Sequence, residues 1–580
     1  MKLLLSKSAI TKMQAVVIIV IIVVVAIGGA YYYTTLPGPE ATPTPTPPGP
    51  TPTPGPSPTP GPTATPGPTP IPPTDLDTLI VASYWEPLSL DPCHSLSGAL
   101  SCVTRNVYEG LVRFDGSGTT EDDIIPSLAT SWTLSTDGKV YTFVLRQGVK
   151  FQDGTPFNAS AAKFGIERML AYGGGPAGYF GQIDRVDVVD DYTIDLVLTE
   201  PSATVLKHLA TFFGYCMVSP TAVAAHNSTE DPLAKTWFTD HMVGTGPYQL
   251  VEWVRETRIV ITKFDDYWGG WEGKHVTNAR FLKVAEASTQ KLMVAKGDVD
   301  VAENIDIIDQ LTLNATPGIE LVISEKYSSG FYGLFGVAEG EPLANVNLRR
   351  AILYAINWDV YWQDLVMGLG QRMLSMFGSF QEPYWTDDFA YYRNVTKAME
   401  LLANEGYGPS NPLQLTGTYP TGHEFRRKVF EQLRTDLLEV NIELTLVPQV
   451  TTVTWGQVAA GENPFDIYDQ GLYGCSDPDY ALSNLFPSWM VPPTSWNLGR
   501  YNNTEYDELI LAERGAINVT ARIEIFYRLQ EIGMWEDPAC IPFLEMPEEM
   551  SRVQRDWVKG RYYNPAMWRS IEVYKIWKEV

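Results

Sequence analysis

Cysteine and histidine are scarce in this chain of 580 residues, with five of the first and six of the second. The histidines are scattered, so a His-rich nickel or zinc site is not expected. His423-Glu424 starts like the helix of a zinc protease, but Arg427 stands where the second histidine belongs. There is no Cys-x-x-Cys, no Gly-x-Ser-x-Gly elbow and no P-loop, which removes thiol-redox, elbow-type hydrolase and ATPase readings. Basic residues are in deficit too. The 42 Lys and Arg face 68 Asp and Glu, for a net charge of −26. A nucleic-acid partner is therefore not expected, because it requires a basic stripe. The acidity serves solubility and surface repulsion, and its sharper reading is a preference for cationic solutes. Paired carboxylates are too common in such a chain to mark an acid–base site.

No Lys or Arg occurs between Lys12 and Arg105. This gap holds the longest apolar run, residues 13–33, unbroken from 15 to 30. At about 1.5 Å of rise per residue it is long enough to cross a bilayer. Lys2, Lys7 and Lys12 precede it, so residues 1–12 are expected in the cytoplasm, 13–33 in the membrane as a single-pass anchor, and the rest outside the cell. Tyr31, Tyr32 and Tyr33 would sit at the outer interface. Residues 34–74 have proline at nearly every second position. They are expected to form an extended stalk that could reach on the order of 120 Å at about 3.1 Å per residue. A cleaved secretory signal is the competing reading of the apolar run. There is no lipobox, since the first cysteine is Cys93. Lys7-Ser8-Ala9-Ile10 resembles the pilin-like signals of archaeal surface proteins, where clipping leaves the anchor attached.

The remainder, 75–580, is too long for one ordinary core and implies two or three lobes. The whole chain's 44% hydrophobic and 12% aromatic content is that of a globular protein. Residues 78–83 read as a buried strand. Asp137-Gly138 sits between two strand-like runs over 132–145 and predicts a hairpin, and Asp190-Asp191 predicts a second between 186–189 and 193–198. Residues 161–170 read as a helix capped by Asn158 or Ser160. Residues 348–357, 424–440 and 521–535 carry helical spacing, with Phe425, Val429, Leu433 and Leu437 on one face of the second. Asn441 then leads into a strand at 442–447. The class is mixed α/β. Cys93 and Cys102 enclose a short loop and are expected to form a disulfide outside the cell, while Cys216, Cys475 and Cys540 cannot be paired from spacing. Six Asn-x-Ser/Thr sequons, at Asn158, Asn227, Asn314, Asn394, Asn502 and Asn518, are candidates for glycosylation.

Several linked motifs carry a family resemblance. One block runs from Pro126-Ser-Leu-Ala-Thr-Ser-Trp132 through Asp137-Gly-Lys-Val-Tyr-Thr-Phe to Gly148-Val-Lys-Phe-Gln-Asp-Gly-Thr-Pro156. It is followed by Val243-Gly-Thr-Gly-Pro-Tyr-Gln-Leu250, Asp266-Tyr-Trp268, Gly297-Asp-Val-Asp300, the helix-like run 349–357 and Tyr501-Asn-Asn-Thr-Glu-Tyr-Asp-Glu-Leu509. Their order resembles the family 5 solute-binding proteins, the extracytoplasmic receptors of oligopeptide, dipeptide and nickel ABC transporters, over most of 79–568. Gly244 and Gly246 are expected to serve a tight backbone path through positive φ. They do not form a dinucleotide loop, since Gln249 replaces the third glycine.

The resemblance implies a type II periplasmic-binding-protein clamp of two lobes and three domains. Lobe I would hold about 75–115, 241–325 and 546–580, domain II about 116–240, and lobe III about 326–545. It also implies an ABC permease and ATP-binding subunits as partners, no cofactor, and no enzymatic activity. The segment 466–478, ending in Asp477-Pro478, would line the cleft. Dipeptide receptors of the family place an Asp just before this Asp-Pro to pair with the ligand's α-amino group. Here that place falls at Cys475 or Ser476, and 419–423 offers no clear match for the residue that takes a short peptide's carboxylate. Longer peptides are the expected ligand, with oligosaccharide as the alternative. Tyr84, Trp85, Trp455, Tyr473 and Asp477 are the candidate ligand contacts, the aromatics by stacking or covering side chains. A secreted glycosidase and a stalked adhesin are more distant alternatives. The acidic, sequon-rich, stalked layout without a lipobox also points to an archaeal source.

Overall fold

Strand-forming runs assemble into three principal sheets in the computed structural model, which describes residues 75–94, 102–116, 120–211, 214–323, 329–473, 477–493, 495–545, 552–560 and 571–579. The expected cytoplasmic segment, anchor and stalk, 1–74, lie outside the described residues. Among the described residues no helix is long and apolar enough to cross a membrane.

The run Thr78–Ser83 is buried at five of its six positions, as a strand with parallel neighbours on both sides demands. It pairs in parallel with Asn278–Lys283 and with Val301–Ala302. The sheet they centre has seven strands, completed by Arg258–Lys263 and Tyr248–Val254 on one side and by Arg552–Arg555 and Ile319–Val322 on the other. A four-stranded antiparallel sheet is made of the two expected hairpins, Ala129–Leu134 with Val140–Leu145 and Ile183–Asp190 with Thr193–Leu198. Gly138 takes φ 71° at the tip of the first, a conformation glycine reaches without steric cost. The helix Ala159–Tyr172 covers this sheet, and the Asn158 side chain caps it by accepting from the Ala161 N–H at 3.0 Å.

The third sheet has six strands, in the order Gln371–Arg372, Cys540–Glu545, Ser329–Phe335, Ile467–Tyr473, Leu413–Pro420 and Ile442–Gln449. The helix Glu424–Leu438 lays Phe425, Val429, Leu433 and Leu437 against it, all four buried. The helix Val346–Ala355 adds Leu348 and Ile352 to the same core. Asn441 turns the chain with φ 66° from the first of these helices into the strand Ile442–Gln449.

The chain passes twice between the seven-stranded and six-stranded sheets, from Val322 to Ser329 and from Glu545 to Arg552. On one side of these crossings Val322 pairs with Arg552. On the other Gly330 pairs with Glu545. The strands that flank both connections are therefore neighbours in each sheet.

Two expectations are corrected here. Neither Gly244 nor Gly246 has a positive φ. Glycine is needed for close approach instead, because a Cβ on Gly244 would lie 2.1 Å from the Val107 carbonyl oxygen, and one on Gly246 within 2.8 Å of it. Gln152 secures this junction. Its amide NH₂ donates to the Tyr248 carbonyl at 2.7 Å, and its oxygen accepts from the Gly244 N–H at 3.1 Å. The second correction concerns Cys93, which is a free thiol and not the partner of Cys102. Asp91 accepts from the Cys93 N–H at 2.9 Å, and the sulfur lies 3.5 Å from Arg168 Nη1. Arg168 also grips Asp91 with bonds of 3.0 and 2.6 Å, so the sulfur is held in a polar knot within the core. Burial pushes this thiol well above its ordinary range.

Candidate functional site

Parallel strands leave a crevice beyond their carboxyl ends, where the following loops splay apart, and ligands of open α/β sheets bind there. In the seven-stranded sheet this rim holds Ser83 to Trp85 after the first strand, Lys283 ending the strand Asn278–Lys283, and Glu303 after Val301–Ala302. In the six-stranded sheet Leu413–Pro420 runs parallel to Ile442–Gln449 and to Ile467–Tyr473. Its rim holds 419–423, the helix Thr451–Ala459 and the end of Ile467–Tyr473.

Four of the five candidate contacts fall on these rims. Tyr84 and Trp85 are both half-buried. Lys283 donates to the Tyr84 carbonyl at 2.5 Å, and the Trp85 indole N–H donates to Glu303 Oε2 at 2.9 Å. Trp455 is half-buried on the helix Thr451–Ala459 and packs against the largest apolar core. Tyr473 closes its strand opposite Ser329, and its side chain lies outside the described residues, as do Cys475 and Ser476. Trp85 packs against a different core cluster from Trp455, so the two aromatics belong to separate walls.

Asp477 is placed elsewhere. It is 1% exposed and caps the helix Pro478–Leu485 through the Asp479 N–H. Arg522 donates to its two oxygens at 2.6 and 2.8 Å, and Lys207 adds a third bond at 2.9 Å. Burial alone would raise this carboxyl, but Arg522 and then Lys207 outweigh it and hold Asp477 well below the usual carboxylate range. Both oxygens are thus taken up inside the protein, which makes Asp477 an internal anion and not the solute contact expected. Arg522 also binds Glu513 at 3.0 and 2.7 Å, and Arg514 binds Asp479 at 3.0 Å. His208, beside Lys207 on the helix Val205–Ala210, lies 3.7 Å from Asp479. Burial depresses its imidazole to about 4, against the opposing pull of Asp479 and Asp477. Neutral at physiological pH, it stacks edge-on against Tyr179. This network joins the helix following the four-stranded sheet to the helices following the six-stranded sheet.

Sequence reasoning missed Ser83, Glu303 and Arg552. The Ser83 hydroxyl and the Trp85 indole both donate to Glu303 Oε2, and Arg552 Nη2 approaches Oε1 at 3.2 Å. The available signal was a glutamate directly after the short buried strand Val301–Ala302. A second buried carboxylate, Glu545, ends its strand at the other side of the crossings. Gln371 donates to it at 2.6 Å, and Ser379 donates through N–H and hydroxyl at 2.8 and 3.0 Å. Burial pushes Glu545 up to about 7, and those neutral donors only partly offset it. Among the described residues no group of three or more His, Cys, Asp or Glu side chains is placed to hold a metal ion.

The model for the middle region of bacterial extracellular solute-binding proteins, family 5, matches residues 123–490. The chain belongs to this family. Family members are binding receptors rather than enzymes. The probable D,D-dipeptide-binding periplasmic protein DdpA of Escherichia coli is 26% identical over 500 residues, covering 85% of this chain and 92% of that protein. The glutathione-binding protein GsiB of Shigella flexneri is 28% identical over 478 residues, covering 79% and 86%. Among solved structures, the periplasmic binding protein DppA of Helicobacter pylori with the peptide STSA superposes with a TM-score of 0.75 at 23% identity, covering 87% of this chain and 98% of that one. NikZ of Campylobacter jejuni with Ni(L-His) superposes equally well at 20% identity, covering 87% and 100%. These structural likenesses establish the fold, a mixed α/β periplasmic-binding-protein clamp.

Proposed function

We propose that this chain is the extracytoplasmic receptor of an ABC importer that captures oligopeptides and passes them to a membrane permease powered by separate ATP-binding subunits. The observation that supports the reading is a strand-end rim on each of two α/β sheets in a chain whose relatives carry dipeptide-binding and glutathione-binding names. Half-buried aromatics at both rims, Trp85 and Trp455, suit a peptide whose side chains they would cover. Trp85 and Trp455 also suit an oligosaccharide, which stays the second reading. The receptor has no ATPase or other turnover of its own.

The apolar run 13–33 and the proline-rich segment 34–74 support tethering of the domain outside the cell, and the acidic, sequon-bearing composition supports an archaeal source. Lobe I at about 75–115, 241–325 and 546–580, domain II at about 116–240 and lobe III at about 326–545 would move about the two crossings. Asn227, Asn314, Asn394, Asn502 and Asn518 are exposed and suited to glycan attachment, whereas Asn158 is half-buried at its helix cap.

Closure must be driven by tighter binding to the closed state, and a shift from about 1% to 99% closed needs about 5.5 kcal/mol of differential affinity. Small-angle scattering with pools of peptides three to eight residues long should show a ligand-dependent fall in radius of gyration. No compaction with peptides, but compaction with oligosaccharides, would move the protein to the second reading.

A further inference from the structure

The proline-rich segment 34–74 ends directly before Asp75, the first described residue. Its last stretch reads Pro70-Ile71-Pro72-Pro73-Thr74. Prolines three positions apart fall on one edge of a polyproline II helix, which has three residues per turn. Between Leu36 and Leu76, Ile71 is the one residue that is Leu, Ile, Val, Met or aromatic, and no charged residue lies between Glu40 and Asp75. An uncharged Pro-x-x-Pro with a single aliphatic side chain suits an aromatic surface.

Such a surface lies where this segment enters the fold. Asp75 accepts from the N–H groups of Asp77 and Thr78 at 2.9 and 3.0 Å, which sets the backbone at the entry. The Asp77 carbonyl accepts from the N–H groups of Thr277 and Asn278 at 2.8 and 3.0 Å. Two residues before Thr277, His275 stacks on Tyr574 with ring centres 4.4 Å apart. Trp271 meets these two rings edge-on at 5.5 and 5.3 Å. All three are half-buried. Trp271 and Tyr574 pack against the apolar core that also holds Leu79 and Val81. The Trp271 indole donates to the Phe264 carbonyl and the Tyr574 hydroxyl to the Gly270 carbonyl, each at 2.9 Å, so the rings are held in place before anything docks. Four residues of polyproline II span about 12 Å, enough to lay residues 70–73 across this cluster from Asp75.

We propose that residues 70–73 dock on Trp271, His275 and Tyr574 as one turn of polyproline II, with Pro70 and Pro73 against the rings. The entropic cost is small because proline already favours this form. The docked turn fixes the direction in which the preceding chain leaves the domain. It does so at the start of the strand Thr78–Ser83, about 17 Å of strand away from the rim at Ser83. The inference concerns the chain's own N-terminal segment and stands whether the solute is a peptide or a sugar.

The test uses the full-length chain in detergent with Ile71→Cys, labelled with a benzophenone maleimide and irradiated. Crosslinked peptides are mapped by mass spectrometry, and the unsubstituted chain treated identically gives the background from native thiols. The expected result is crosslinking within the same chain to peptides that hold Trp271 to His275 or Tyr574. Most of that yield should be lost when Pro70→Ser and Pro73→Ser are added, with thermal melting confirming that the domain is folded. Crosslinks to other parts of the domain, no crosslink above background, or an unchanged yield in the folded serine variant overturns the docking.

Discussion

The network around Asp477 and the rim around Glu303 are built from the same chemistry, a buried carboxylate beside an arginine, and they differ in the partners each carboxylate holds. Asp477 receives Arg522 on both oxygens and Lys207 besides. Glu303 has two neutral donors on one oxygen and an ion pair with Arg552, at 3.2 Å, on the other. A fully paired buried ion fixes one arrangement of the surrounding helices. Burial and charge alone therefore do not mark a binding residue.

The comparison breaks most severely at Arg522. Replacing it by Leu strands Asp477 and Glu513 in the interior, and such a loss costs about 3–5 kcal/mol. Chemical denaturation should show that cost, with little change in affinity per folded molecule. In contrast, Glu303→Gln, which keeps an acceptor for Ser83 and Trp85, should lower the melting temperature less.

The next effect is a pH dependence of opposite sign at two sites. His208 is depressed from 6.5 to about 4 in the folded protein, so the unfolded chain binds more protons over that range and stability falls as pH drops through it. Glu545 is raised from 4.5 to about 7, so the folded protein binds more protons and stability falls as pH rises through that window. Each contributes about 3 kcal/mol across its window. Relative to wild type, His208→Asn should therefore lose stability as pH rises from acid toward neutral. Glu545→Gln should gain it over the same interval. Denaturation midpoints between pH 4 and 8 check both, and parallel profiles for all three proteins would contradict the assigned environments.

Much of the fold was legible because it rests on local periodicity. Phe425, Val429, Leu433 and Leu437 announced their helix, and Asp137-Gly138 announced its turn. Gly244 was singled out for the wrong reason, since its neighbour Val107 is distant in sequence and the approach of the two backbones leaves no local trace. Gly244→Ala should cost about 1–3 kcal/mol by forcing that junction apart. The site was less legible than the fold. Trp85 was singled out because it follows a readable strand, and it lies at that strand's carboxyl end. Glu303, Ser83 and Arg552 were missed because they come from strands far apart in the sequence that meet only in the folded sheet. Asp477 was misjudged because its partners, Lys207 and Arg522, come from segments far away in the sequence. The smallest effect expected is at Asn158, where an alanine removes a helix cap worth about 1 kcal/mol.

The central claim is that this chain captures oligopeptides. Native mass spectrometry of the full-length chain, purified from detergent without refolding, tests it most directly by weighing whatever ligand remains bound. The account predicts a ladder of peptide masses. A ladder of hexose-spaced masses would contradict it.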